Sequence, residues 1–175
     1  MNLTIRRATL ADAEHIGLLG RVTFRETFGP YFEKWPDLEV YLNQTFNVAK
    51  LRGSLQKENN AFWLALADDL PVGFAKLKRF SPNHALSGEH PAQLQKIYVL
   101  SDFLAQKVGI ALYDALLNEA QNSPATDLWL MSLSANERAI RFYERTGFTV
   151  VQPAKFTIGS QMFDFSLMNK PLAVI

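Results

Sequence analysis

The alternation of apolar and polar residues predicts strands and helices in a mixed order along the chain. A short strand at residues 3–6 precedes a helix, which Gly29 and Pro30 end. The later helices are predicted near 38–46, 48–57, 110–120 and 136–146, and the later strands near 61–67, 72–78, 94–100, 127–131, 148–151 and 162–168. This order predicts an α/β (mixed α+β) protein, in which one mixed sheet carries helices on both faces.

The first helix has a recognisable start. Thr9 is a plausible N-cap residue, and Asp12 follows it three positions later. Ala13, Ile16, Leu18 and Leu19 then follow and are expected to face the core.

The stretch at residues 94–120 is the most informative part of the sequence for function. Ile97, Tyr98 and Val99 belong to a buried strand, residues 106–111 to a polar loop, and the following residues to an amphipathic helix. A helix start has unpaired N–H groups and favours negative charge, and Gly109 would let a ligand approach the backbone. This predicts a phosphate cradle, although neither a dinucleotide fingerprint nor a P-loop is present. The alternative is an ordinary strand–helix connection in which Gly109 permits a tight turn.

Composition excludes several classes of protein. A hydrophobic content of 48% and a charged content of 20% fit one globular domain, predicted over residues 1–175. The net charge of +1 gives no basic field for nucleic acid, and no apolar run has the length of a membrane span. The absence of cysteine excludes disulfides, a cysteine nucleophile and thiolate metal sites; no metal site is predicted. With no apolar signal-peptide region, a cytoplasmic location is expected.

A second pattern lies on the helix predicted at 136–146. Asn136, Ala139 and Tyr143 are spaced to share one face, and Gly147 occupies the usual position just beyond a helix end. Simple structural roles are available: Asn136 could cap the helix, and Tyr143 could be a half-buried core aromatic.

Together the two patterns resemble the acetyl-CoA motifs of the GNAT acetyltransferase superfamily. The first is Gln-x-x-Gly-x-Ala at 106–111, and the second is Asn-x-x-Ala-x-x-x-Tyr-x-x-x-Gly-Phe at 136–148. They stand in the expected order, and the resemblance extends over residues 4–168. It implies the GNAT fold: about seven mostly antiparallel strands, with parallel central strands that splay apart and leave a slot for pantetheine.

The resemblance also implies an enzyme with acetyl-CoA as co-substrate and a primary amine as acceptor. The cofactor-binding residues would be Ile97, Tyr98, Val99, Gln106, Lys107, Val108, Gly109, Ile110, Ala111 and Asn136. The resemblance further implies that Val99 N–H also holds the developing oxyanion. Tyr143 would be the catalytic residue that protonates the departing thiolate. Because no cysteine is present, direct attack by the amine in a ternary complex is expected.

The general base is left unassigned. Many members of the superfamily carry a glutamate early in the central strand, where this chain has Gln93 and Gln95. Neither amide can accept a proton as a base. Possible substitutes are Glu26, His84, Glu89, His90 and water.

The acceptor has the weakest support. The Thr-Phe-Arg-Glu-Thr-Phe stretch at 23–28 and the predicted hairpin at 64–77 resemble the bacterial spermidine/spermine acetyltransferase branch. If the acceptor is a polyamine, four carboxylates of this chain could bind it: Glu26, Glu33, Asp37 and Glu39. These carboxylates could equally form a solvated surface. A non-catalytic acyl-CoA-binding module, and an acetyltransferase of protein N-termini or other small amines, remain alternatives. The apolar tail at 171–175 could dock on a partner subunit, as in a homodimer, or on its own core.

Overall fold

In the computed structural model, which describes residues 1–173, seven strands form a single sheet. The strands are β1 (Leu3–Arg7), β2 (Asn60–Ala67), β3 (Leu70–Lys78), β4 (Pro91–Val99), β5 (Asp127–Leu133), β6 (Thr149–Ile158) and β7 (Gln161–Pro171). Their order in space is β1-β2-β3-β4-β5-β7-β6. Each neighbouring pair is antiparallel except β4 with β5, so the predicted fold class is confirmed.

Five α-helices among the described residues cover the two faces of the sheet. They are α1 (Ala13–Phe28), α2 (Trp35–Thr45), α3 (Val48–Leu55), α4 (Val108–Gln121) and α5 (Glu137–Arg145). Leu38 of α2 joins Phe62 and Phe74 in one core cluster, and Leu112 of α4 joins Leu128 in the other. Within residues 1–173, no helix has the length and apolar character that crossing a bilayer requires.

The two parallel strands separate, as the resemblance implied. β4 and β5 pair only over residues 91–93 and 127–129. Beyond Gln93, β4 continues beside β3 while β5 continues beside β7, and the two no longer pair. A slot therefore opens between the carboxyl-terminal halves of β4 and β5.

Several boundaries differ from those predicted. Residues 108–111 lie in the first turn of α4 and not in a loop, because Lys107 adopts a left-handed conformation (φ 63°) that ends the connection one residue before the helix. The last two strands form a longer hairpin than predicted. In β6 only Ile158 is buried, so this edge strand lacks the strict apolar alternation that sequence patterns detect.

The tail docks on its own chain as far as it is described. Pro171 ends β7, and the Leu172 side chain is buried in the same core cluster as Leu112. Leu172 N–H donates to the Thr126 carbonyl at 2.9 Å. Val174 and Ile175, on which the predicted subunit contact also rested, lie outside the described residues.

The start of the first helix depends on a buried carboxylate, Asp12, which is 4% exposed. Asp12 accepts two hydrogen bonds from the Arg6 guanidinium, each of 2.8 Å, and one from Thr9 N–H at 2.8 Å. The Arg6 hydrogen bonds, outweighing the effect of burial, lower the pKa of Asp12 to about 2.

Thr9 occupies the N-cap position of the 3₁₀ turn Leu10–Asp12, which leads directly into α1, so the predicted cap lies one short turn before that helix. The expectation that Leu18 faces the core is wrong, because its side chain is exposed, whereas Ala13, Ile16 and Leu19 are buried.

We expect Asp12→Asn to lower the free energy of unfolding by about 1–2 kcal/mol at pH 7, because Arg6 is partly exposed and water screens the pair. The folded-state pKa lies below the unfolded one, so the contribution is present above about pH 4 and lost as the pH falls toward 2. Urea unfolding at pH 7 and pH 3 measures it.

Glu137→Gln is the matched control, because Glu137 pairs with Arg141 on the exposed surface of α5. It should change stability by less than about 0.5 kcal/mol at either pH. An Asp12→Asn effect as small as this, or one that does not shrink in acid, would contradict the assignment.

Candidate active site

A cavity of about 700 Å³ occupies the slot between β4 and β5. Residues 93–99 of β4 and 131–133 of β5 form its walls, and α1, α4 and α5 close it. The two sequence patterns therefore meet in one place, because the first begins α4 and the second forms α5.

The start of α4 presents backbone donors to this cavity. Val108, Gly109 and Ile110 are the first three residues of the helix, where N–H groups have no intrahelical acceptor. The Val108 side chain is fully buried and anchors the turn in the core, while Gly109 and Ile110 line the cavity. A Cβ built on Gly109 would have no heavy atom from outside its own turn of helix within 4 Å, so internal packing does not require a glycine there.

Besides the buried Val108, two residues of the first pattern do not line the cavity. The Gln106 side chain donates to the Asp102 carbonyl at 3.1 Å, and Ala111 N–H donates to the Lys107 carbonyl at 3.1 Å. Neither residue lines the cavity, whereas Lys107 does. The donors available to a ligand are therefore those of the first helical turn, with Lys107 beside them.

The open side of β4 presents further backbone groups. Leu100 N–H donates to Val72 of β3, and successive residues of a strand direct their backbone groups to opposite sides. Ile97 and Val99 consequently direct their N–H and C=O groups away from β3, toward the slot. The backbone of Tyr98 faces β3, and it is its side chain that lines the cavity.

Asn136 and Tyr143 have structural roles and line the cavity as well. Asn136 Oδ1 accepts from Ala139 N–H at 3.2 Å and caps α5, which leaves the amide NH₂ available as a donor. The Tyr143 ring packs edge-on against Phe142 and Phe148, with centroids 5.3 and 5.7 Å away. Burial, with a smaller effect of Tyr113, raises the pKa of Tyr143 well above its ordinary value, so its hydroxyl is protonated at neutral pH.

The charged side chains that line the cavity are all cations: Lys96, Lys107, Arg138 and Arg145. No carboxylate or histidine of residues 1–173 contributes to the wall. Sequence reasoning missed Lys96, Arg138 and Arg145. The positions of Arg138 and Arg145, seven residues apart on one helix face, could have suggested the two arginines.

Comparison with known proteins identifies the same family that the two sequence motifs suggest. Residues 21–148 match the model of the Acetyltransferase (GNAT) family. This chain belongs to the GNAT acetyltransferase family. It is accordingly an acetyl-CoA-dependent N-acetyltransferase, as the sequence predicted.

Its relatives are similar along nearly their whole length. An uncharacterised N-acetyltransferase of Lactobacillus delbrueckii subsp. lactis is 25% identical over 155 residues, which cover 88% of each chain. The crystal structure of the PaiA N-acetyltransferase from Thermoplasma acidophilum, in complex with coenzyme A, superposes with a TM-score of 0.78 at 22% identity. That match covers 98% of this chain and 99% of the other. A ribosomal-protein-alanine N-acetyltransferase from Brucella melitensis has a TM-score of 0.70 and 22% identity, over 97% and 99% of the two chains.

The cavity of this GNAT protein fits acetyl-CoA chemically. The unpaired N–H groups at the start of α4, with Lys107 and the α5 arginines, are donors and charges that suit phosphate groups. The open backbone of Ile97 and Val99 suits the amides of the pantetheine arm, which can pair with it as an added strand does.

The carboxylates and histidines that the sequence offers as a base or as polyamine ligands do not line the cavity, and three of them bind other residues of the chain. Glu26 accepts from Ser101 N–H at 3.1 Å and from Ser101 Oγ at 2.9 Å. Asp37 accepts from Ser160 N–H at 2.9 Å, and Glu39 pairs with Arg25. Glu33, His84, Glu89 and His90 also lie outside the cavity wall.

Proposed function

We propose that this enzyme transfers an acetyl group to a primary amine by direct attack within a ternary complex. The observation that carries the proposal is the single cavity that joins the open backbone of β4, the start of α4 and Tyr143. Acetyl-CoA supplies the activated acyl group as a thioester. The chain has no cysteine to accept that group, and Ser132, which lines the cavity, has no histidine beside it in the wall.

The residues would divide the work as follows. The backbone of Ile97 and Val99 and the Asn136 amide hold the pantetheine arm, and the first turn of α4 with Lys107 holds the pyrophosphate. Val99 N–H donates to the thioester oxygen, where negative charge develops as the amine nitrogen bonds to the carbonyl carbon.

Tyr143 O–H donates to the sulfur as the carbon–sulfur bond breaks. A free thiol has a pKa of about 8.5, so the thiolate is a competent leaving group and a hydrogen bond is sufficient help. The amine must lose a proton, and the described cavity wall has neither a carboxylate nor a histidine to take it. Water therefore serves as the base, which agrees with the amides at Gln93 and Gln95.

The polyamine acceptor suggested by the sequence finds no support in this cavity. A polycation needs carboxylates near the reacting centre, whereas the described wall carries four cations. We retain the coarser proposal of an amine acceptor, small molecule or peptide, and keep spermidine as a test compound.

The test is thiol release from acetyl-CoA with a panel of amines that includes spermidine, amino acids and short peptides. We expect amine-dependent release, with intersecting lines in double-reciprocal plots when both substrates are varied. Parallel lines, or an acetylated protein after incubation with acetyl-CoA alone, would contradict direct attack. Binding of acetyl-CoA without release for any amine would leave the non-catalytic alternative in place.

A further inference from the structure

Lys96 lines the cavity and lies among aromatic side chains. It lies on β4, one residue before Ile97, and its ammonium is 5.6 Å from the ring centroid of Phe46 and 5.7 Å from that of Tyr98. Phe46 and Tyr98 belong to the core cluster formed with α1, α2 and α3. The Lys96 side chain therefore faces the α1–α3 side of the sheet, opposite the α4 start where phosphates would bind.

Among the described residues, Lys96 has no acidic partner. No ion pair among residues 1–173 includes it or Lys76, its cross-strand neighbour on β3. Burial, with smaller effects of Lys50 and Lys78, lowers the pKa of Lys96 to about 8. The group is still largely protonated at pH 7, in a place where an unpaired ammonium costs free energy.

The carboxylates of α1 and α2 do not relieve this cost. Glu26 is held by Ser101, Asp37 by Ser160 and Glu39 by Arg25. The hydroxyl of Thr23 donates to the Leu19 carbonyl. The anion that would complement Lys96 must therefore come from a bound molecule.

The same part of the wall is rich in aromatic residues, although Thr23 and Thr27 of α1 also line it. Phe24 and Phe28 of α1 line it and stack on each other with centroids 4.2 Å apart, and Tyr41 of α2 lies beside them. A ligand in this part of the cavity therefore contacts an aromatic surface and one cation, Lys96.

We propose that Lys96 binds an acidic group of the acceptor, so that the preferred acceptor is an apolar amine that also carries a carboxylate. This inference rests on the proposed transferase function and names its substrate class. An ammonium–carboxylate contact in a partly desolvated site holds the acceptor with its amine directed to the thioester. It also disfavours polyamines, whose charge repels that of Lys96.

The test compares L-phenylalanine with L-phenylalaninamide, which differ in the carboxylate and little in size. We expect wild type to show a higher kcat/KM for the acid, and Lys96→Met to lower that value about 10- to 100-fold, mainly through KM. Lys96→Arg should keep the preference, because it keeps the charge. Lys78→Met is the control: this β3 lysine does not line the cavity, and the ratio of acid to amide should not change.

Three results would overturn the inference while leaving the proposed function intact: a preference for the amide, a preference for spermidine, or equal losses for acid and amide in Lys96→Met. If no amine releases thiol, the proposed function fails instead. Lys96 is then tested by calorimetric binding of phenylacetate to the CoA-loaded protein. Binding that Lys96→Met weakens at least tenfold supports the acidic-group site, and equal or absent binding overturns it.

Discussion

Gly109→Val is expected to weaken acetyl-CoA binding by at least 100-fold and to leave the protein folded. Gly109 is the second residue of α4 and lines the cavity, where an added Cβ would have no atom from outside its own turn of helix within 4 Å. Valine suits a helix better than glycine does, so stability should not fall. The lost affinity, about 3 kcal/mol or more, comes from keeping the pyrophosphate away from the N–H groups of the first turn. Calorimetric titration with coenzyme A and thermal unfolding measure the two effects.

Gly53→Val is a matched control for this prediction. Gly53 also lies in a helix, α3, and a Cβ there likewise has nothing within 4 Å, but the residue is remote from the cavity wall. Its valine variant should bind coenzyme A as wild type does. If Gly109→Val also binds with wild-type affinity, α4 does not hold the pyrophosphate.

Tyr143→Phe is expected to lower kcat about 100- to 1000-fold, with the KM for acetyl-CoA changed less than about threefold. The phenylalanine ring keeps the packing on Phe142 and Phe148, so only the donor to the departing sulfur is removed. Because burial raises the pKa of Tyr143 above the ordinary tyrosine value of about 10, its deprotonation should cause no loss of wild-type activity up to about pH 10. Single-turnover thiol release across this pH range measures the effect.

Tyr113→Phe separates a catalytic hydroxyl from a structural one. Tyr113 lies on α4 near Tyr143, but its hydroxyl accepts from Lys170 Nζ at 3.1 Å and it does not line the cavity. Its loss should cost about 1 kcal/mol of stability and leave kcat within twofold. A Tyr143→Phe variant that likewise retains kcat would show that Tyr143 is not the donor.

The sequence predicts the features that depend on neighbours along the chain. Apolar periodicity placed most elements, and Gly147 at φ 97° ends α5 as expected. The separation of β4 from β5 came from the family resemblance, because periodicity carries no information on where a ladder of hydrogen bonds stops.

What could not be predicted depends on contacts distant in sequence. The Glu26 carboxylate accepts a hydrogen bond from Ser101, 75 residues away, and the Asp37 carboxylate accepts one from Ser160, 123 residues away. Lys96 was overlooked for a related reason: a lysine in a strand is normally exposed, and here aromatic side chains from separate elements enclose it. Local sequence patterns do not show which side chains from distant parts of the chain contact these residues.

The short pairing of β4 with β5 has a mechanical consequence. Among the described residues, the strand pairing that joins the four-stranded half of the sheet to the three-stranded half consists of three residue pairs, at 91–93 and 127–129. A pantetheine arm lying against Ile97 and Val99 would fill the gap between β4 and β5 and continue the hydrogen-bonded pairing along β4. The donor substrate would then brace the two halves against each other, and the enzyme would be stiffest when it is loaded and most compliant after coenzyme A departs.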